Sequence, residues 1–428
     1  MLDKQKLVQT SMETIQWFIF LLASSVALPI VVGGIFDMSL AEIAGLMQRT
    51  FFVVGLASFL QSIIGHRMPI MEGPAGIWIS IFSVMAATGL QSGTSLDGTL
   101  QLLQTTMILT GVFLFIFGIF KISQFILPIF TPLVTGTFFF LLTVQLSGTF
   151  LEGMLGLQGE SSNIQVKEAL IASFIFLVVL GLSFFARGWM KSYSMFIGIL
   201  IGWIIFILVE GEAPVVGDVK IFSLPDMFAF GMPTFNISVI PIALLIAVIL
   251  ISNMIASVVA VDQVLGNEGK DRHKEINHGT SVFGINHGLA GIFSSIANVP
   301  LSTSAGFIGL TGQKRKAPFI YASFLLMLFA FFPPIVSFIS GIPAPIANAA
   351  LMASFVQLVG LAIRNVTVQP LDNRRMTILG IAYLIGMGTM FLPAEVFSEL
   401  PLIIQNIMSN GLLVGTGLVI ILEQLWRE

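Results

Sequence analysis

Charge is so sparse along this chain, and apolar runs of about 20 residues recur so regularly, that lipid is the solvent that fits it. Lys, Arg, Asp and Glu together make up 10% of the 428 residues, against about 25% in a soluble domain. That supply could not clothe a water-facing surface. The absence of cysteine excludes a disulfide framework, a thiol nucleophile and a thiolate metal site. The first apolar run, Trp17 to Ile35, is followed by no small-residue cleavage site and is expected to be a retained span, not a signal peptide.

Hydropathy predicts an all-α polytopic membrane protein with about 14 spans. They fall near residues 15–35, 48–65, 70–90, 102–120, 125–149, 168–186, 192–210, 236–263, 277–296, 300–312, 317–339, 343–363, 377–393 and 399–424. Basic residues test the alternation. With the N-terminus inside, 16 of the 19 Lys and Arg residues face the cytoplasm, among them Lys4, Arg67, Lys121, Lys191, Lys270, Lys314, Arg374 and Arg427. Arg49, Lys167 and Lys220 are left outside. The positive-inside rule therefore places both termini in the cytoplasm of a multi-pass cell-membrane protein. No loop is long enough for a soluble domain, and no phosphate-cradling Gly-rich loop follows a strand, which argues against an ATP-driven pump.

Fourteen spans divide into two sets of seven, and an odd number per half inverts the second relative to the first. The fifth span opens at Pro128 and Pro132 and the twelfth at Pro343 and Pro345, each followed by small residues. The third and tenth spans also correspond, because both are interrupted. The third begins with Pro69, Glu72, Gly73, Pro74 and Ala75, and the tenth with Asn298, Pro300, Leu301, Ser302, Thr303 and Ser304. Proline disfavours helix just before it. Each segment is expected to run extended and then enter a half-helix, presenting free backbone groups and a positive helix end; simple kinked helices are the alternative. A planar heterocycle with amide-like edges suits such a site. Glu72 is read either as a binding or proton-carrying carboxylate or as an interfacial residue near Arg67. Asn253 and Ser257 lie one turn apart on the eighth span, as ligand contacts or as interhelical hydrogen bonds. Gln16, Ser24 and Ser25 are weaker candidates, and Asp262 reads as a solvated end charge. His278 and His287 have no partner spacing for a metal.

With these residues in view, the chain resembles the nucleobase–ascorbate transporter family, which includes the bacterial uracil and xanthine permeases. PLVTGT at Pro132–Thr137 is similar to the family's PPVVTGT, Arg187–Gly202 to the opening of its seventh span, and IPAPI at Ile342–Ile346 to its IPxPV turn. GIFSSIAN at Gly291–Asn298 resembles the approach to the tenth span, and Pro69–Gly73 the PxxQG stretch, with Glu72 for Gln. In the signature [Q/E/P]-N-x-G-x4-T-[R/K/G], Gly306, Thr311 and Gly312 match, while Thr303 and Ser304 replace the usual Glu/Gln and Asn. The eighth-span Glu falls on Asn253, and the first-span Gln-His pair on Gln16 and Trp17.

The resemblance implies a core, substrate-binding domain of spans 1–4 and 8–11 (residues 1–123 and 236–340). It further implies a gate domain of spans 5–7 and 12–14 (residues 124–235 and 341–428), with substrate held between the two and transport by rocking. It also implies import of a nucleobase, a purine above all, by cation symport through a proton or sodium ion, and a homodimer in the lipid bilayer. The substrate-binding set is then Glu72, Gly73, Ala75, Asn253, Ser257, Leu301, Ser302, Thr303 and Ser304, with Glu72 as the coupling carboxylate. No cofactor, metal or nucleic-acid partner is expected. A same-fold carrier of a different small or anionic substrate is the competing reading, and the expected lack of a cytoplasmic domain after the last span counts against the anionic form of it. A membrane enzyme would want clustered acids or histidines in one cavity, and a channel a ring of charge.

Overall fold

In hydrocarbon every backbone N–H and C=O must find a partner within the protein, and the chain meets this demand mostly with helices. The computed structural model describes residues 2–74, 76–91, 93–122, 125, 129, 131–157, 163–211, 220–267, 272–397, 399, 400, 404, 405, 408 and 410–426. The expectations placed on Ala75, Pro128, Lys270 and Arg427 lie outside the described residues. The principal helices are α1 (Leu2–Ile35), α2 (Leu40–Ile63), α3 (Gly76–Gln91), α4 (Leu96–Ile119), α5 (Pro132–Met154), α6 (Val166–Phe185), the single turn α7 (Trp189–Ser192) and α8 (Ser194–Glu210). There follow α9 (Val239–Leu265), α10 (His273–Ile292), α11 (Thr303–Thr311), α12 (Lys316–Phe329), α13 (Pro333–Ser340), α14 (Ala344–Val366), α15 (Asn373–Met390) and α16 (Gly411–Leu425). Two strands, β1 (Glu72–Pro74) and β2 (Asn298–Pro300), precede α3 and α11.

Helix starts follow local chemistry. Ser39 caps α2 in a capping box with Glu42, Ser95 caps α4, Thr131 caps α5 ahead of Pro132, and Asp372 caps α15. Gly211 and Gly266, in the left-handed conformation, end α8 and α9.

Among the described residues, seven helices are long and apolar enough to cross a bilayer: α1, α2, α4, α5, α6, α9 and α14. The pair α12 and α13, bent by 91° where Pro333 and Pro334 interrupt the ladder, adds an eighth if taken as one span. The protein is thus a multi-pass helical membrane protein. Each of the fourteen expected stretches contains helix. The third and tenth consist of a strand and then a helix, and the eleventh is broken. α10, at 20 residues, matches α6 in length and α15, at 18, is slightly shorter, but both are more polar. α10 carries Asn277, Asn286 and His287 after a charged first turn, and α15 opens on Asn373, Arg374 and Arg375.

Most helix pairs pack within one of two sets, which α1–α14 and α3–α5 contacts join. α10 lies along α4, α12 along α2, α1 along α12 and α9 along α4; α14 lies along α5 and α6, and α15 and α16 pack on each other and on α5. The α4–α10 contact is backbone on backbone. A Cβ placed on Gly284 would sit 2.4 Å from the Gly111 carbonyl oxygen, and one on Gly111 would sit 2.6 Å from that of Gly284. Small residues permit such approaches in membranes. Residues 220–238 cross the ends of these helices: the Phe228 N–H donates to the Ile292 carbonyl (2.7 Å), and the Thr105 hydroxyl to the Thr234 carbonyl (2.7 Å). Arg49, expected on the outer side at the start of the second span, lies well inside α2, 6% exposed, and donates to the Ser294 carbonyl (3.0 Å) with its guanidinium over the Phe230 ring. The helix begins at Leu40, well before it, so its side chain is inside the bundle.

Replacing Gly284 by Leu should lower the unfolding midpoint in detergent by the equivalent of about 1–3 kcal/mol or more. Gly288→Leu is the control, because nothing lies within 4 Å of a Cβ there. Equal midpoints for the two variants would contradict the close α4–α10 contact.

Candidate functional site

β1 and β2 pair antiparallel, with Glu72 opposite Pro300, Gly73 opposite Val299 and Pro74 opposite Asn298. The register is symmetric about the central pair. Each strand starts with a polar residue and ends in proline, and each leads toward a helix. Facing residues share a side of a ribbon and alternate ones return to it. Glu72 and Asn298 therefore occupy the same face, as symmetry-related positions. Both are fully buried, and neither side chain has a hydrogen-bond partner among the described residues.

Side chains from three helices hold the ribbon. The Glu72 N–H donates to Ser58 Oγ of α2 (3.0 Å), and the Met71 N–H to Ser304 Oγ of α11 (3.0 Å). The Leu301 N–H donates to the Met71 carbonyl (2.8 Å). From α9, the Ser257 hydroxyl donates to the Pro300 carbonyl (2.7 Å); Ser302 Oγ lies 2.9 Å from Ser257 Oγ, and Asn253 Oδ1 3.4 Å away. A hydroxyl has one proton to give, so the short Pro300 bond takes it, leaving the Ser302 hydroxyl free to donate to Ser257. The expected Asn253–Ser257 face is present, but Ser257 acts chiefly as a clamp on β2. Leu301 covers Gly73: a Cβ there would meet Leu301 Cδ1 at 2.5 Å. Ser304 is buried and accepts from Met71, just before β1, while Thr303, first in α11, is exposed.

Glu72 faces His66, not Arg67. Its Oε1 lies 3.4 Å from His66 Nε2 with both side chains fully buried, whereas Arg67 is exposed with a positive φ of 62°. The interfacial reading of Glu72 therefore does not hold. Sequence reasoning missed His66 because its partner depends on how the chain turns back through Met68 and Pro69. It also missed the role of Asn298, whose pairing with Pro74 joins distant segments. His287, weighed only as a metal ligand, is fully buried and accepts from Trp78 Nε1–H of α3 (3.1 Å). Asp262 is not solvated: it is 5% exposed and bound by Arg272 at 2.7 Å. That hydrogen bond holds the Arg272 guanidinium above the ordinary arginine range.

At the start of α3 a Cβ on Gly76 would lie 2.8 Å from Phe355 Cζ, so α14 reaches the end of the broken helix. Gln16 meets Gln313, and its carbonyl accepts from the Tyr193 hydroxyl (3.0 Å). Ser25 turns inward to its own helix at Leu21. A cavity of about 220 Å³ lies where Gly33, Asp37 and Ile43 face Ser340 and Pro343. It is at the opposite end of α2 from Ser58, roughly 20 Å away along the helix axis.

Helices interrupted at membrane depth around a paired ribbon define a polytopic membrane carrier. The family model named Xan_ur_permease and described as Permease family matches residues 8–395, and the chain belongs to that family, of permeases and not of enzymes. "Putative purine permease YwdJ" of Bacillus subtilis (strain 168) is 32% identical over 426 residues, covering 97% of this chain and 96% of its own. The xanthine permease of the same organism is 24% identical, covering 96% of this chain and 92% of its own. The uric acid transporter UacT of Escherichia coli (strain K12) is 22% identical, covering 96% and 84%. Among solved structures, the transmembrane domain of the cyanobacterium bicarbonate transporter BicA superposes with a TM-score of 0.64 at 15% identity, over 94% of this chain and 96% of that one. SLC26A9 does so with a TM-score of 0.64 at 10% identity, over 98% of this chain and 66% of that one. At these identities the likeness is one of fold.

Ser304→Ala leaves the buried Met71 N–H without its acceptor, a loss of about 1–3 kcal/mol. Thermal unfolding in detergent should show a lowered midpoint for Ser304→Ala and an unchanged one for the exposed Thr303→Ala.

Proposed function

We propose that this permease imports a purine base, such as xanthine, hypoxanthine, guanine or urate, by symport with a proton carried on Glu72. The observation that carries the reading is the fully buried Glu72, one strand residue from a backbone site at two broken helices. A lone carboxylate at that depth is costly unless it works. The purine, xanthine and uric acid relatives, matched over nearly the whole chain, supply the substrate class. The bicarbonate and SLC26 likenesses rest on fold and do not favour an anion.

The base would lie against Gly73 and the residues from Leu301 to Ser304, with Asn253 and Ser257 at its side and Phe355 reaching in from α14. The backbone groups and α11 N-terminus offer donors to its oxo edges. In this reading fourteen crossings form two inverted repeats, a division favoured by the symmetric ribbon. The core comprises residues 1–123 and 236–340, and the gate residues 124–235 and 341–428. The two packing sets, α1–α4 with α9–α12 and α5–α6 with α14–α16, support this grouping. Both termini face the cytoplasm across the cell membrane, as the distribution of Lys and Arg favours. A homodimer belongs to the same proposal and rests on the family resemblance.

Cells lacking their own permeases should take up one radiolabelled purine in a saturable, protonophore-sensitive way. Glu72→Gln should reduce that uptake to background. Equal, pH-dependent uptake by Glu72→Gln would remove Glu72 from the mechanism, and failure to take up any purine would remove the substrate class.

A further inference from the structure

We propose that His66 is a positioning residue that stays neutral throughout and donates its Nε2–H to Glu72, making the deprotonated half of the transport cycle possible. The inference rests on Glu72 as the coupling carboxylate and adds the partner that lets it release its proton.

The ring is held from several sides. The Met68 N–H donates to His66 Nδ1 (3.1 Å), and the His66 N–H donates to Gln61 Oε1 (3.3 Å). Gln61 is fixed in turn, its Nε2–H donating to the Gly279 carbonyl (2.9 Å). Gly279 closes on the ring's base: a Cβ there would lie 3.3 Å from His66 Cβ. Because Nδ1 accepts, the neutral ring carries its proton on Nε2, which points at Glu72 Oε1 across 3.4 Å. Closing that gap to a charge-assisted bond takes about half an ångström. A second ring proton would set Nδ1–H against the Met68 N–H, donor against donor. The geometry therefore assigns the exchangeable proton to Glu72 and a fixed N–H to His66.

The donor is needed because a bare carboxylate has nowhere else to turn. Neither oxygen of Glu72 has another hydrogen-bond donor among the described residues, and the residue is fully buried. Of the neighbouring groups, α2 presents Ser58, already engaged by the Glu72 N–H, and α10 presents Gly279. Lys316, first in α12, is the charge whose field reaches His66, and Arg67 is exposed.

Two substitutions separate this role from a structural one. The amide nitrogen of Gln reaches the position of Nε2, so His66→Gln keeps the donor to Glu72. The shorter Asn reaches only the position of Nδ1, so His66→Asn keeps the acceptor for Met68. His66→Gln should retain the wild-type pH profile of purine uptake. His66→Asn should lose protonophore-sensitive accumulation by at least about tenfold, the scale of a lost hydrogen bond to a charge. A second readout needs no substrate: the pH dependence of the melting temperature of purified protein. Wild type and His66→Gln should share a one-proton step that His66→Asn and Glu72→Gln both lack. Should His66→Asn fail to fold, adding Glu72→Gln should restore folding, since no carboxylate is left to satisfy. The proposal is overturned if Asn matches wild type, if Gln is as defective as Asn or fails to fold, or if the double variant stays unfolded. Absence of purine uptake by wild type would overturn the substrate reading alone, and the melting and folding measurements would still decide the role of His66.

Discussion

An extended backbone inside a membrane has no water to bond, and everything near the site follows from how this chain answers that need. Two three-residue strands from opposite halves of the sequence pair with each other, and serine hydroxyls of α2, α9 and α11 take up groups the ladder cannot serve. Proline ends both strands, so the ribbon could not satisfy itself even if it were isolated. The surrounding helices are therefore part of its hydrogen bonding as well as its packing.

The same demand explains the polar content of the neighbouring helices. α10 carries Asn286 and His287 fully buried and packs against α4 at glycines. It is less apolar than a lipid-facing span because much of its surface touches protein. Helices remote from the ribbon, such as α6 and α8, expose Leu170, Phe174, Leu177, Ile204 and Leu208, as side chains in contact with lipid would. Around the ribbon, by contrast, Glu72, His66 and Asn298 are fully buried within the protein.

Much of this is legible in the sequence alone. Proline and glycine spacing marks the third and tenth spans as interrupted, and β1 and β2 fall in those segments. One-turn spacing places Asn253 and Ser257 together, and Pro132 marks the start of α5. What escapes are pairings between elements. His66 cannot be matched to Glu72 without the reversal at Met68 and Pro69. Asp262 reads as solvated because Arg272 belongs to the next helix, and Arg49 as external because α2 begins earlier than hydropathy alone places it. Periodicity reports which face of an element is apolar, but not what stands opposite it. The number of crossings suffers in the same way, since length and hydropathy cannot tell a traversing helix from a bent pair such as α12 and α13.

The prolines at the ends of the strands also act as a mechanical key. Sliding one strand along the other would bring an imide nitrogen to a place where the ladder requires a donor, so the ribbon has one seating and no neighbouring notch. Its register is locked, so Glu72 and Asn298 hold a fixed relation to each other and the two halves of the chain share one point of reference where they meet.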